Sequence, residues 1–252
     1  MLRALSVLGL LISTPAAASG LLSSKPVASW TGFYAGLNAG AAWGTASKDS
    51  IFNAPVPPYA AADVTGISST ASQSLNTSGF TGGVQLGYNL QRGSLVWGVE
   101  SDFQYLGLNG SNNLTASFPS TPASVYSVAT SVSTDWLFTA RGRVGWTVHN
   151  ALLYGTAGFA VGHQKFTQSI ALLAPFVVTN SGSDTRIGWT VGGGVEYALD
   201  PDWSIKAEYL YVDLGKPPAS TGTISPASAG VYDQTSAHLA FSIARLGVNR
   251  RF

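Results

Sequence analysis

The sequence predicts an all-β fold, namely an eight-stranded antiparallel up-and-down transmembrane β-barrel after an N-terminal signal peptide. Apolar residues recur at every second position in segments of about ten residues, the signature of membrane-spanning strands. The connections between these segments alternate between short and long. Glycine is concentrated on one face of the segments, and bulky apolar residues are concentrated on the other.

The first residues predict a secretory signal peptide. Arg3 precedes an apolar run over residues 5–12, and small alanines follow at 16–18. The run is too short to span a bilayer as a helix. We therefore expect residues 1–18 to be a signal peptide, residues 19–29 a short N-terminal segment, and residues 30–252 the barrel.

The alternation predicts the strands in chain order. They are expected around residues 31–44, 79–90, 95–108, 134–148, 151–163, 185–199, 203–214 and 236–252. Short turns are expected at 91–94, 149–150 and 200–202. The long connections, at 45–78, 109–133, 164–184 and 215–235, are rich in Ser, Thr, Ala, Pro and Gly, and we expect them to be mobile and exposed.

Composition limits the function classes. The 252 residues include 13 Lys and Arg against 12 Asp and Glu, for a formal net charge of +1, and no cysteine. A nearly neutral chain without a basic run is not expected to bind nucleic acid, and the lack of cysteine rules out disulfides and thiolate metal sites.

Side-chain volume predicts which face points outward. In residues 79–106, GFTGGVQLGYNLQRGSLVWGVESDFQYL, aromatic and aliphatic residues alternate with glycine and polar residues. An eight-stranded barrel is just wide enough for its own side chains, so the small face is expected inside and the bulky face in lipid.

Aromatic residues on the bulky face predict two girdles. Pairs on one strand lie eight or ten residues apart, which corresponds to roughly 20–25 Å along the barrel axis, close to the height of the apolar band of such barrels. The predicted girdle residues are Phe33, Trp43, Phe80, Tyr88, Trp97, Trp136, Trp146, Trp189, Tyr197, Trp203 and Tyr211.

Charged residues on the inward face predict an ion-pair plug, because a carboxylate in a narrow interior is costly unless it is paired. Four acids would meet five bases. The predicted lumen cluster comprises Glu100, Asp102, Arg141, Arg143, Arg186, Glu196, Lys206, Glu208 and Arg245.

Several strand motifs resemble the small porin-like outer-membrane proteins (outer membrane immunogenic proteins) of alphaproteobacteria, which are related to the barrels of outer membrane protein A. These motifs are WTGFYAGLNAGAAWG, GGVQLGYN, VWGVESDFQY, RGRVGW, LLYGTAGFAVG, GGGVEYAL, KAEYLYVDLG and ARLGVNRRF. The resemblance covers nearly all of residues 30–252 and is absent from the long connections. It implies an eight-stranded barrel in the outer membrane of a Gram-negative bacterium.

The resemblance also implies an assembly signal in the final strand, read by the barrel-assembly machinery. It would consist of Leu246, Val248 and Phe252, with Arg250 at a position where members of the family more often have an aromatic residue. Leu239, Phe241 and Ile243 fall on the inward parity, so we expect a register shift or bulge near the top of this strand.

Nothing in the sequence predicts catalysis, a cofactor or a metal. His149, His163 and His238 are scattered, and the glycine-rich segments lie within strands, where they cannot form phosphate loops. The expected role is a structural surface protein with a largely plugged lumen and long extracellular loops. The alternatives are porin-like passage of small solutes, which the strand number disfavours, or ligand capture or adhesion through the loops. The expected partners are outer-membrane lipid, lipopolysaccharide and the assembly machinery, and the partner of the loops is unknown.

Overall fold

The computed structural model describes residues 29–54, 59–72, 74–173, 175–216, 220–225 and 232–252. The predicted signal peptide (1–18), and residues 19–28 of the predicted N-terminal segment, lie outside this range. The elements are β1 (Gly32–Asn53), α1 (Ala61–Ala71), β2 (Leu75–Arg92), β3 (Leu95–Ser117), β4 (Val125–Val148), β5 (Ala151–Ala171), β6 (Val177–Ala198), β7 (Trp203–Asp213), β8 (Ser220–Ser225) and β9 (Tyr232–Arg251).

The strands form one antiparallel sheet that closes into a ring. Pairing runs in chain order from β1 to β7, continues from β7 to β9, and returns from β9 to β1. The short strand β8 pairs with both β6 and β9. Closure leaves no free edge along the paired part of the sheet, and the all-β antiparallel prediction is confirmed.

Short turns lie at one end of the ring, which we call the lower end. They cover residues 93–94, 149–150 and 199–202. Gly93 (φ 59°) and His149 (φ 54°) adopt the positive φ that two-residue hairpin loops favour. We call the opposite end, which contains α1, the upper end.

The long connections are largely built of regular structure, which corrects the expectation of mobile, exposed loops. β1 extends to Asn53. β3 extends to Ser117 and β4 begins at Val125, while β5 extends to Ala171 and β6 begins at Val177. Their inward residues form an apolar cluster around α1, comprising Phe52, Ala54, Ile67, Ala71, Phe118, Tyr126, Val128, Ile170, Leu172 and Val178. This burial stabilises regular structure in segments whose Ser- and Thr-rich composition is typical of loops.

The bulge expected in the last strand is absent, because β9 keeps an unbroken register with both β1 and β7. The register shifts lie between Tyr105 and Leu108 in β3 and between Thr134 and Leu137 in β4. Leu239, Phe241 and Ile243 point inward simply because the interior is apolar at their height.

The interior is therefore layered. Trp30, Val96, Leu152, Tyr154 and Ala198 are buried together near the lower end. The charged residues lie above them, and a large apolar cluster follows: Ala42, Ala46, Leu75, Leu106, Leu108, Val132, Leu137, Ala160, Phe166, Leu210, Val212, Leu214, Leu239, Phe241 and Ile243.

Among the described residues, no helix is both long enough and apolar enough to cross a membrane.

Candidate functional site

The candidate site is the charged layer inside the ring. Alternation along β3, β4, β6, β7 and β9 directs one or two charged side chains of each strand into this layer. The strand register then sets acids opposite bases, since Glu100 pairs with Arg141, Glu196 with Lys206, and Glu208 with Arg245. Opposite charges on directly paired residues stabilise the strand pairing.

Arg141 lies at the centre of one half of the layer. Its Nη2 lies 2.5 Å from Glu100 Oε1 and 2.6 Å from Asp102 Oδ2, while its Nη1 lies 3.1 Å from Glu208 Oε1. Arg245 completes this half, with Nη2 at 2.5 Å from Glu208 Oε2 and 3.1 Å from Asp102 Oδ2. These five side chains are almost completely excluded from solvent.

Arg143 and Lys206 form the other half. Arg143 Nη2 lies 2.7 Å from Glu196 Oε2, and Lys206 Nζ donates to both carboxylate oxygens of Glu100 at 2.9 Å. The layer thus holds the four carboxylates Glu100, Asp102, Glu196 and Glu208 against the four cations Arg141, Arg143, Lys206 and Arg245. The formal charges of these eight residues cancel, which limits the cost of burying them.

Two tyrosines that the sequence reasoning missed connect the two halves. Tyr34 Oη donates to Glu100 Oε2 at 2.7 Å and accepts from Arg143 Nη1 at 3.1 Å. Tyr154 Oη donates to Glu208 Oε1 at 2.9 Å, and its ring centroid lies 3.9 Å from the Arg143 guanidinium carbon. The sequence feature that could have identified them is a bulky aromatic residue on the glycine-rich, inward face of a strand.

Glycine makes room for these two rings. A Cβ atom at Gly87 would lie 2.4 Å from the Tyr34 ring, and one at Gly194 would lie 2.8 Å from Tyr154 Oη. Real Cβ atoms do not come this close, so each tyrosine requires glycine on the facing strand. The inward glycines are therefore part of the packing of the charged layer.

Neutral side chains occupy the remaining acceptor positions of two carboxylates. Asp102 accepts from Thr139 Oγ1 at 2.8 Å and from Gln104 Nε2 at 2.6 Å. Glu196 accepts from Ser204 Oγ at 2.6 Å and from Asn249 Nδ2 at 2.8 Å. Hydrogen bonds of this kind offset the loss of water around a buried charge.

Arg186, the ninth residue of the predicted cluster, lies apart from the other eight. Its Nη2 lies 2.6 Å from Asp184 Oδ2, and the Asp184 side chain is 63% exposed. Arg186 shares the inward parity of Glu196 but precedes it by ten residues on β6, or roughly 33 Å along an extended strand. Parity alone could not reveal this difference in height.

The predicted girdle residues lie on the outer face of the ring. Phe33, Trp43, Phe80, Trp97, Trp146, Trp189, Tyr197 and Trp203 are exposed. Tyr88, Trp136 and Tyr211 are partly covered, each by a neighbouring ring: Phe33 at 4.7 Å, Phe103 at 5.9 Å and Trp189 at 5.5 Å between centroids. The outer face between them is dominated by exposed aliphatic residues.

The residues of the predicted assembly signal share this outer face. Leu246, Val248 and Phe252 are exposed, and the backbone N–H of Phe252 donates to the Phe33 carbonyl at 2.9 Å. The Arg250 guanidinium lies 5.4 Å from the Phe252 ring centroid and 5.9 Å from that of Trp203. Arg250 thus lies next to two aromatic rings of this outer face.

The histidines do not converge. His149 lies in a turn at the lower end, His163 stacks on Trp136, and His238 Nε2 lies 2.8 Å from Asp213 Oδ1. No group of His, Cys, Asp and Glu that could hold a metal ion occurs among the described residues.

Comparison with known proteins gives consistent results. The family model for the outer membrane protein beta-barrel domain matches residues 4–252. The chain is 36% identical over 223 residues to the 31 kDa outer-membrane immunogenic protein of Brucella melitensis, covering 84% of this chain and 86% of that protein. It is 32% identical over 189 residues to the 22 kDa outer membrane protein of Rhizobium leguminosarum bv. viciae, covering 75% and 66%.

The solved structures that match are more distant. The outer membrane protein OprG of Pseudomonas aeruginosa matches with a TM-score of 0.47 at 11% identity, covering 88% of this chain and 96% of that one. The outer membrane protease OmpT of Escherichia coli matches with a TM-score of 0.46 at 10% identity, covering 88% and 97%. These likenesses are too remote to assign an activity. The family model and the sequence relatives locate the protein in the outer membrane of a Gram-negative bacterium.

Proposed function

The chain belongs to the outer membrane protein β-barrel family, and on that premise we propose that it is an eight-stranded transmembrane barrel with a closed lumen. The barrel anchors a structured upper end at the cell surface. The role is structural and surface-exposed, without catalysis or bound cofactor. Its partners are membrane lipid, lipopolysaccharide and, during insertion, the barrel-assembly machinery.

The filled interior is the observation that carries this proposal. The charged layer crosses the ring, and the apolar cluster lies directly above it, because Leu210 and Ile243 follow Glu208 and Arg245 by two residues in the upward direction. Side chains in both layers are nearly inaccessible to solvent. A passage for solutes would need a continuous water-filled path, which belongs to barrels with more strands.

The outer face supports the transmembrane part of the proposal. Large apolar side chains such as Leu86, Val144, Phe159 and Ile187 are more than half exposed, which would be unfavourable in water. In lipid the same surface is in its preferred solvent. With the short turns at the lower end, that end faces the periplasm, as in other outer-membrane barrels.

Solute flux into vesicles tests the closed lumen. The purified protein, refolded into phospholipid vesicles, should leave swelling in neutral sugars and amino acids at the rate of protein-free vesicles. A 16-stranded porin in the same vesicles is the positive control, and cysteine labelling at Asn150 verifies insertion. Swelling that rises with the amount of inserted protein would overturn the closed lumen and support passage of small solutes.

A further inference from the structure

The outer face of β3, β4, β5 and β6 carries a regular array of residues above the aromatic band, and all but Ala129 and Lys165 are Ser, Thr or Asn. Its central row is Ser111, Ser131, Thr167 and Ser181, which are direct register partners across four strands. The row above holds Asn113, Ala129, Ser169 and Thr179, and the row below holds Asn109, Ser133, Lys165 and Ser183. We call these twelve residues the hydroxyl grid.

The hydroxyl grid is available for contact. All four residues of the central row are exposed, while their inward neighbours, such as Thr130, Phe166, Gln168 and Asn180, are buried. Within the described part of the chain, none of the four central hydroxyls makes a hydrogen bond to another protein group, and in the upper row Ser169 and Thr179 approach each other at 3.5 Å. The central row therefore presents donors and acceptors that no protein group occupies, about 4.8 Å apart from strand to strand.

Charge is absent or neutralised across this surface. The sequence has no Asp, Glu, Lys or Arg between residues 107 and 134 or between 166 and 183. At the lower border, Lys165 Nζ lies 2.5 Å from Asp135 Oδ2, and Arg186 is paired with Asp184. A phosphate group would find no unpaired cation on the grid, whereas a neutral ligand rich in hydroxyl groups would find matching partners.

The location of the grid indicates where such a ligand comes from. Along β3, β5 and β6, the grid lies above the exposed apolar residues Tyr105, Phe159 and Ile187. In the membrane orientation proposed above, the surface just outside the hydrocarbon faces the headgroup region of the outer leaflet. That region contains the saccharide of the surrounding glycolipid, so in this orientation the grid would face sugar where the band below it would face acyl chains.

We propose that the hydroxyl grid binds the neutral, hydroxyl-rich saccharide of outer-leaflet glycolipid, and that it does not bind the phosphates of that lipid. This inference rests on the proposed transmembrane orientation. The extended rows of the grid suit a linear saccharide that lies across the strands and forms hydrogen bonds with successive strands.

A single-cysteine reporter tests the proposal, because the chain contains no cysteine. Ser183→Cys, at the border of the grid, carries an environment-sensitive fluorophore in the full-length protein refolded into phospholipid vesicles. Three probes are titrated separately: phosphate-free oligosaccharide released from lipopolysaccharide, lipid A without that saccharide, and inorganic phosphate. We expect a saturable fluorescence change with the oligosaccharide alone.

Matched variants identify the surface. Ser131→Ala combined with Thr167→Val removes two central hydroxyls and should weaken oligosaccharide binding about tenfold, as expected for the loss of two hydrogen bonds. Thr45→Val combined with Ser47→Ala makes the same chemical changes on the exposed face of β1 and should leave binding unchanged. Ser131→Ala alone should weaken oligosaccharide binding less, and it replaces the double variant in the test if the double variant refolds poorly.

The outcomes separate this inference from the proposed function. Orientation in the same vesicles is measured by reagent access to a cysteine at Asn150, at the lower end. If the inserted protein does not respond to the oligosaccharide, or responds to lipid A or phosphate instead, saccharide binding by the hydroxyl grid is wrong, and the proposed transmembrane barrel is unaffected. A protein that does not insert overturns the transmembrane orientation itself.

Discussion

Replacing Arg143 by methionine removes one buried positive charge while keeping a long unbranched side chain. In the native protein, the Arg143 and Glu196 side chains are 1% and 2% exposed, and their charged atoms lie 2.7 Å apart. The variant leaves Glu196 buried without this cation. Breaking such a pair costs about 3–5 kcal/mol of unfolding free energy. Since Ser204 and Asn249 still donate to Glu196, we expect the lower part of that range.

A double variant separates the ion pair from packing. Arg143→Met combined with Glu196→Gln removes both charges, so no carboxylate is left buried without its cation. Its loss should be smaller than that of Arg143→Met alone, with a coupling free energy of about 2–3 kcal/mol between the two sites. Arg186→Met is the matched control, because its partner Asp184 is largely in water, and it should cost about 0–1 kcal/mol.

The assay is reversible urea unfolding in phospholipid vesicles, followed by the fluorescence of the chain's 7 tryptophans. The midpoint and slope together give the unfolding free energy of each variant. The reasoning is refuted if Arg143→Met loses no more stability than Arg186→Met. It is also refuted if the double variant loses the sum of the two single losses.

Three further predictions follow from the same structure. Val144→Arg places a charge in the middle of the exposed apolar face and should cost about 2–4 kcal/mol in vesicles; unchanged stability would show that lipid does not cover this face. In intact cells, an impermeant reagent should label a cysteine at Ser69 but not at Asn150, and the reverse pattern would invert the topology. Hydrogen bonds from the Ser120 side chain and backbone N–H hold the pKa of Asp63 in the folded protein below its usual value. The stability that these bonds give the upper end is therefore present above about pH 4, and it is lost as the pH falls through the pKa of Asp63 in the folded protein. The hydrogen-exchange protection factors of the α1 amides should therefore decrease in acid, and the Asp63→Asn variant should show decreased protection already at pH 7. Protection that changes neither with pH nor with this substitution would contradict the role of Asp63.

Sequence patterns predicted the outward and inward faces because volume and polarity alternate with the strand itself. Phe33 and Trp146 could be assigned to the outer face, and Glu100 and Arg141 to the inner face, from parity and the glycine positions alone. Parity carries no information about height along the ring, however. Arg186 was therefore grouped with residues that lie roughly 33 Å away along its strand.

The upper half could not be predicted from local patterns. Helix α1 and the long β3–β4 hairpin have Ser- and Thr-rich sequences whose propensity favours loops, and they are ordered by contacts distant in sequence. Phe118 at the hairpin tip stacks on Tyr59, which precedes α1, and Ser120 donates to Asp63 in α1. An inward Phe241 indicates a register shift or bulge only where the interior is polar, and at this height the interior is apolar.

The closed lumen is the central claim, and single-channel recording in planar bilayers tests it most directly. With insertion verified in parallel, the native protein should show no steady conductance above the bare bilayer, at either polarity and in molar salt. Closure by the charged layer and the apolar cluster predicts this result even when many copies are inserted. Reproducible, long-lived conductance steps that scale with the number of inserted copies would contradict it.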